Sequence, residues 1–86
     1  MYFLHLFQWG ELMKKENDLF NNIYILRAEK RWTQKYVADQ LNVTRQTIHS
    51  LESNKYNPSL KLAFEIALLF DKQIEDIFTY KRKGDS

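Results

Sequence analysis

TQKYVADQLNVTRQTIHSLES, residues Thr33 to Ser53, is the stretch on which the reading of this chain turns. It contains two short amphipathic helical patterns joined by a turn. The first runs from Gln34 to Leu41, with Thr33 as its N-cap and Val37, Ala38 and Leu41 on the inward face. Asn42 tolerates the left-handed backbone that closes a helix, and Val43 packs inward after it. Thr44 caps the second pattern, predicted from Arg45 to Ser53, whose inward residues are Ile48 and Leu51. Arg45, Gln46, His49 and Ser50 are left facing outward. With Thr44 and Thr47, they are the kinds of side chain that hydrogen-bond base edges and phosphates. Ala38 is small where the two helices would cross most closely, so a larger residue there should clash.

Working outward, Leu19, Ile23 and Leu26 keep helical spacing. They predict a first helix from about Asp18 to Lys30, capped by Asn17 or Asp18, with Trp32 as a core plug after it. On the other side, Asn54 to Pro58 reads as a loop. Ser59 caps a fourth helix whose apolar stripe is Leu60, Ala63, Ile66, Ala67 and Phe70, broadened by Leu62 and Leu69. Asp71 to Gln73 is a break, Ile74 to Phe78 a short fifth helix, and Tyr80 to Ser86 a frayed basic tail. No segment alternates with period two over a useful length, so no sheet is expected. The fold class is therefore all-α with five helices. The expected organisation is an N-terminal extension over 1–16, a helical domain over 17–80 and a tail over 81–86.

Composition fits one small domain. The chain has 86 residues, 44% hydrophobic and 15% aromatic, enough for a single core near the lower size limit. It has no Cys, which removes disulfide and thiol chemistry. The net charge of +2 is unevenly spread. Arg27 to Lys55 holds six Lys and Arg against three acids, whereas Lys61 to Phe78 holds two against four. The basic half coincides with the outward polar face, the arrangement suited to phosphate. No apolar run approaches the roughly 18–20 residues of a membrane span. A cytoplasmic location and no membrane partner are the expectation.

Residues 1–12 differ in composition from the rest. Trp9-Gly10-Glu11 back-translates to a G-rich purine tract just before the Met13 codon, which resembles a bacterial ribosome-binding site read as protein. The expectation is that Met13 is the biological start. An intact Met1 terminus in a mass spectrum from the native host would refute it. The functional alternative is a hydrophobic arm used in dimer contact.

The ordered set Leu26-Arg27, Trp32-Thr33-Gln34, Val37-Ala38, Val43-Thr44-Arg45-Gln46-Thr47-Ile48, Leu51-Glu52, Asn57-Pro58-Ser59 and Ile74-Glu75-Asp76-Ile77-Phe78 resembles the DNA-binding domain of the phage Cro/cI-type repressors, the XRE family. The resemblance covers about Asn22 to Phe78. It implies a lambda-repressor-like domain in which the second and third helices form a helix-turn-helix. In such a domain Gln34 would donate to a DNA phosphate and brace the first reading residue. Thr33 and Thr44 would cap helices beside the DNA, and Thr44 would also reach phosphate. Arg45, Gln46 and Ser50 would face base edges, since Arg matches guanine and Gln matches adenine. Thr47 would meet phosphate or a thymine methyl. His49 would contact DNA when charged, and Lys55 and Tyr56 lie where the chain approaches the strand. Arg27 and Glu52 would pair in a partly buried bridge. Asp71 and Gln73 depart from the Gly and Ser common at those positions, which leaves the junction between the fourth and fifth helices less defined.

The function so implied is sequence-specific binding of double-stranded DNA as a transcriptional regulator, acting as a repressor. A homodimer would dock through Ile77, Phe78 and Tyr80. No cofactor, metal or small-molecule ligand is implied. The alternative is an antitoxin or other protein-partner module on the same fold. An enzyme is disfavoured: the chain lacks a Gly-rich phosphate loop and a His pair at metal-ligand spacing.

Overall fold

The same short polar residues that punctuate the sequence set the helix boundaries. The computed structural model describes residues 18–82. In chain order these form β1 (Leu19–Asn21), α1 (Ile23–Lys30), α2 (Gln34–Leu41), α3 (Arg45–Glu52), α4 (Leu60–Phe70), α5 (Ile74–Ile77) and β2 (Phe78–Tyr80). The expected extension over 1–16, the start at Met13 and the cap at Asn17 lie outside the described residues, as does the end of the tail.

Three helices open on a hydroxyl cap. Thr33 Oγ1 accepts from the Tyr36 N–H at 2.9 Å, Thr44 Oγ1 from Thr47 at 3.1 Å, and Ser59 Oγ from Leu62 at 3.1 Å. Each supplies an acceptor to a first-turn donor that the α-helical ladder leaves open, and the Thr47 N–H also reaches the Thr44 carbonyl at 3.0 Å. Helix ends are equally uniform. Arg31, Asn42, Asn54 and Asp71 all take the left-handed conformation, with φ between 56° and 59°. The next residue donates back into the helix: Trp32 to Arg27 O, Val43 to Ala38 O, Lys55 to Ser50 O and Lys72 to Ala67 O. Gly usually takes this position, but both glycines, Gly10 and Gly84, lie outside the described residues. Trp32 and Val43 turn inward from two of these caps and pack on the core.

That core joins Ile23 and Leu26 of α1, Val37, Ala38 and Leu41 of α2, Ile48 and Leu51 of α3, Leu62, Ile66, Ala67 and Phe70 of α4, and Ile77 of α5. Trp32 stacks between Tyr36 and Phe70, with ring centroids 5.0 and 5.5 Å away. At the start of α5 the Asp76 carboxylate accepts from the Gln73 N–H at 3.2 Å, and the Asp76 N–H donates to the Gln73 carbonyl at 3.0 Å, so the acid three residues on closes this turn without a Ser cap.

Several expectations need correction. A sheet exists: β1 and β2 pair antiparallel, Leu19 with Tyr80, Phe20 with Thr79 and Asn21 with Phe78. Three residues per strand are too few to show a period, and the pairing joins the two ends of the domain. Asn22 N–H donates to Ile77 O at 3.1 Å, and Lys81 N–H to Asp18 O at 2.8 Å, so Tyr80 and Lys81 belong to this ribbon rather than to a frayed tail. The first helix consequently begins at Ile23, not Asp18, and Leu19 lies in β1. The third helix ends at Glu52, with Ser53 as its cap residue. Leu60 is exposed instead of joining the buried stripe. Phe78 starts β2 instead of ending the fifth helix. Among the described residues, no helix is long and apolar enough to cross a membrane.

Candidate DNA interface

The α2–turn–α3 unit is held by its inward residues, and that fixes what α3 presents. Ile48 and Leu51 are both wholly buried. At 100° per residue, Gln46 and Ser50 lie opposite that edge, one turn apart, with His49 beside them and Arg45 and Thr47 flanking. Arg45, Gln46 and His49 are exposed, and Thr47 and Ser50 are half-buried. The side chains of Arg45, Gln46, His49 and Ser50 make no hydrogen bond to the described residues, so their donors and acceptors face solvent. Thr44 and Thr47 are already engaged: their hydroxyls share a hydrogen bond at 2.9 Å while Thr44 also caps the helix. Neither α2 nor α3 carries an acid in its first turn, so the positive ends of both helix dipoles are left open to an anion.

Behind α3 lies a polar clamp. Arg27 Nε donates to Glu52 Oε2 at 2.7 Å and Nη2 to Glu52 Oε1 at 3.0 Å. Its Nη1 donates to the Trp32 carbonyl at 3.0 Å. The pair is largely sealed from water, at 14% and 7% side-chain exposure. The hydrogen bond to Glu52 raises the guanidinium above its ordinary value, against the opposing effect of burial. Gln34 Nε2 donates to the same carboxylate at 3.0 Å. Gln34 therefore meets the C-terminal end of α3, about 10 Å along the axis from Arg45, and one of its two amide protons is committed there. Thr33 is committed to capping α2.

After α3, Asn54 turns the chain, and Lys55 and Tyr56 stand exposed. Tyr56 shares a hollow with Asn42, Val43, Ser59 and Lys61, beside the turn that leads into α3. Residues that the sequence reading missed lie at the other end. Asn21 Nδ2 donates to Leu51 O at 2.8 Å and to Asn54 Oδ1 at 3.3 Å, while its Oδ1 accepts from the Ile23 N–H at 3.0 Å. One side chain thus ties β1, the start of α1 and the end of α3 together. The Asn21-Asn22 pair was the available signal, hidden because it fell inside an expected helix. The proposed dimer residues separate. Ile77 is 2% exposed and belongs to the core, so it has no surface to offer a partner. Phe78 is half-buried against the core, and Tyr80 is exposed in β2.

A helix-turn-helix family model matches residues 23–77. An uncharacterized HTH-type transcriptional regulator of Methanocaldococcus jannaschii is 51% identical over 61 residues, covering 71% of this chain and 92% of that protein. A second such regulator, from Bacillus subtilis, is 38% identical over 58 residues, covering 67% and 88%. A crystal structure from Bacteroides fragilis, of a candidate DNA-binding protein, is 30% identical with a TM-score of 0.65, covering 71% of this chain and 98% of that one. On a match that spans α1 to α5 and contains the whole two-helix unit, the chain belongs to the helix-turn-helix family, of the Cro/cI (XRE) type.

Proposed function

We propose that the chain is a sequence-specific double-stranded DNA-binding transcriptional regulator that acts as a homodimeric repressor on a two-fold symmetric operator. The observation that carries this reading is the outward face of α3. Arg45, Gln46 and Ser50 offer side chains with no hydrogen-bond partner among the described residues, on a helix whose opposite edge is locked into the core. In the major groove, Arg45 pairs with a guanine edge and Gln46 with an adenine edge, each contributing about 1–3 kcal/mol of discrimination. Thr33, Gln34, Thr44, Thr47, Lys55 and Tyr56 fix the register on the phosphates, and His49 adds a contact when charged. The remaining proton of Gln34 Nε2 reaches phosphate while the Glu52 bond holds the amide in place. Two copies place their reading helices in successive major grooves, with half-sites about 34 Å apart. Repression follows from occupying DNA that polymerase needs.

Fluorescence anisotropy tests this with the duplex upstream of the chain's own gene and a scrambled duplex, each at two salt concentrations. Tighter binding to the native duplex, lost in Arg45→Ala and Gln46→Ala, is expected. Equal, weak and salt-sensitive binding to both would reduce the interaction to electrostatics.

A further inference from the structure

We propose that two copies of the chain pair through the outer face of α4, with the helices antiparallel and Phe64 at the two-fold axis. The interface deepens the dimeric regulator reading and rests on it for its consequence at the operator.

Leu60, Phe64 and Leu68 recur every four residues along α4 and are 72%, 54% and 80% exposed. Single exposed apolar side chains are ordinary, but a continuous line of them is not. Together they present an apolar patch on the order of 400 Å², enough for the centre of a standard interface of about 800 Å² per partner. Beside the line, between α4 and α5, runs a groove of about 800 Å³ whose apolar wall is Phe64, Ala67, Leu68 and Ile74 and whose other wall is polar and mostly acidic, from Asp71 to Gln73 and at Glu75 and Asp76. Ala67 is small at its floor, so the groove has room for a side chain.

A second copy fits this surface because the pattern is self-complementary. Leu60 and Leu68 lie about 6 Å along the axis on either side of Phe64. Reversing one helix against another therefore sets each Leu60 against the other copy's Leu68 and the mouth of its groove. The charges agree. Lys61 and Glu65 flank the line, form only a loose pair at 3.6 Å, and are 85% and 42% exposed. With Phe64 at the axis, antiparallel pairing keeps both copies' Lys61 and Glu65 on one flank, each Lys61 about 3 Å along the axis from the other copy's Glu65, whereas parallel pairing would send them to opposite flanks with no partner. The placement also leaves the reading face free. Ser59 and Lys61 border the hollow at Asn42 and Val43, so the first turn of α4 flanks the entry to α3 without covering its outward side.

Sedimentation equilibrium of the full chain without DNA tests the proposal, with circular dichroism to check folding. The variants are Phe64→Asp, Leu68→Lys and, as a control on the ribbon, Tyr80→Asp. The wild type is expected to dimerise at micromolar concentration. Phe64→Asp and Leu68→Lys, both at exposed positions, should keep the helical spectrum and weaken the dimer at least about tenfold. Tyr80→Asp should leave it unchanged. A monomeric wild type, or a dimer that tolerates both α4 variants, would overturn the interface. So would a dimer broken by Tyr80→Asp alone. Because no DNA is present, failure of operator binding would leave this result standing, and a monomeric wild type would leave open DNA binding by one copy.

Discussion

Replacing Arg27 with Ala should cost the fold about 3 kcal/mol. The guanidinium makes two charge-assisted bonds to Glu52, at 2.7 and 3.0 Å, and a third to the Trp32 carbonyl. After truncation, the Glu52 side chain, 7% exposed, keeps among the described residues the Gln34 amide alone. Breaking a buried ion pair from one side costs about 3–5 kcal/mol, because a charge is left without compensation. Arg27 itself reaches solvent at 14% exposure, which puts the expected loss at the lower end of that range. For a domain of this size each kcal/mol moves the Tm by about 4–8 °C, so a drop of roughly 12–24 °C should follow. Urea unfolding monitored by helical circular dichroism would measure it. Arg27→Met, Glu52→Met and the double variant complete the cycle. The double variant should recover much of the loss, since it removes both charges and leaves apolar side chains in their place. A cost under about 0.5 kcal/mol for Arg27→Ala, or strict additivity in the cycle, would refute the clamp as a stabilising element.

Thr44→Ala should lower stability by about 1 kcal/mol through the lost cap, while Thr44→Ser retains it; urea midpoints decide. Asp71→Gly should raise stability by about 0.5–1 kcal/mol, since φ of 56° suits Gly better than Asp, and the Tm reads the sign. Asn21→Ala should cost about 1–2 kcal/mol and speed amide exchange at Ile23, whose N–H loses its acceptor. Lys55→Ala should reduce the slope of log affinity against log salt by about one without changing the preferred sequence.

The central helices were legible because three independent signals agreed there. Thr33 and Thr44 are caps, Asn42 is a tolerated left-handed residue, and Val37, Ala38, Leu41, Ile48 and Leu51 keep helical spacing. The ribbon was not legible. Leu19 sits at a helical interval from Ile23, and only the pairing of Asn21 with Phe78, distant in sequence, decides against a helix. Leu60 misled for a related reason: on α4 nearly every position is apolar, so periodicity alone cannot say which side faces the core. Ile77 carried the same ambiguity in a one-turn helix. The outward residues of α3 could be named from spacing, but the bond from Gln34 to Glu52 could not. It depends on how α1, α2 and α3 converge, which no local pattern encodes.

The most direct test of the account is a selection from random duplexes at physiological salt, repeated with Arg45→Ala and Gln46→Ala. The account predicts an enriched inverted repeat with half-site centres about one helical turn apart, and relaxed choice at one position per half-site in each variant. Enrichment of no sequence, or of a motif unchanged in both variants, would contradict reading by the outward face of α3.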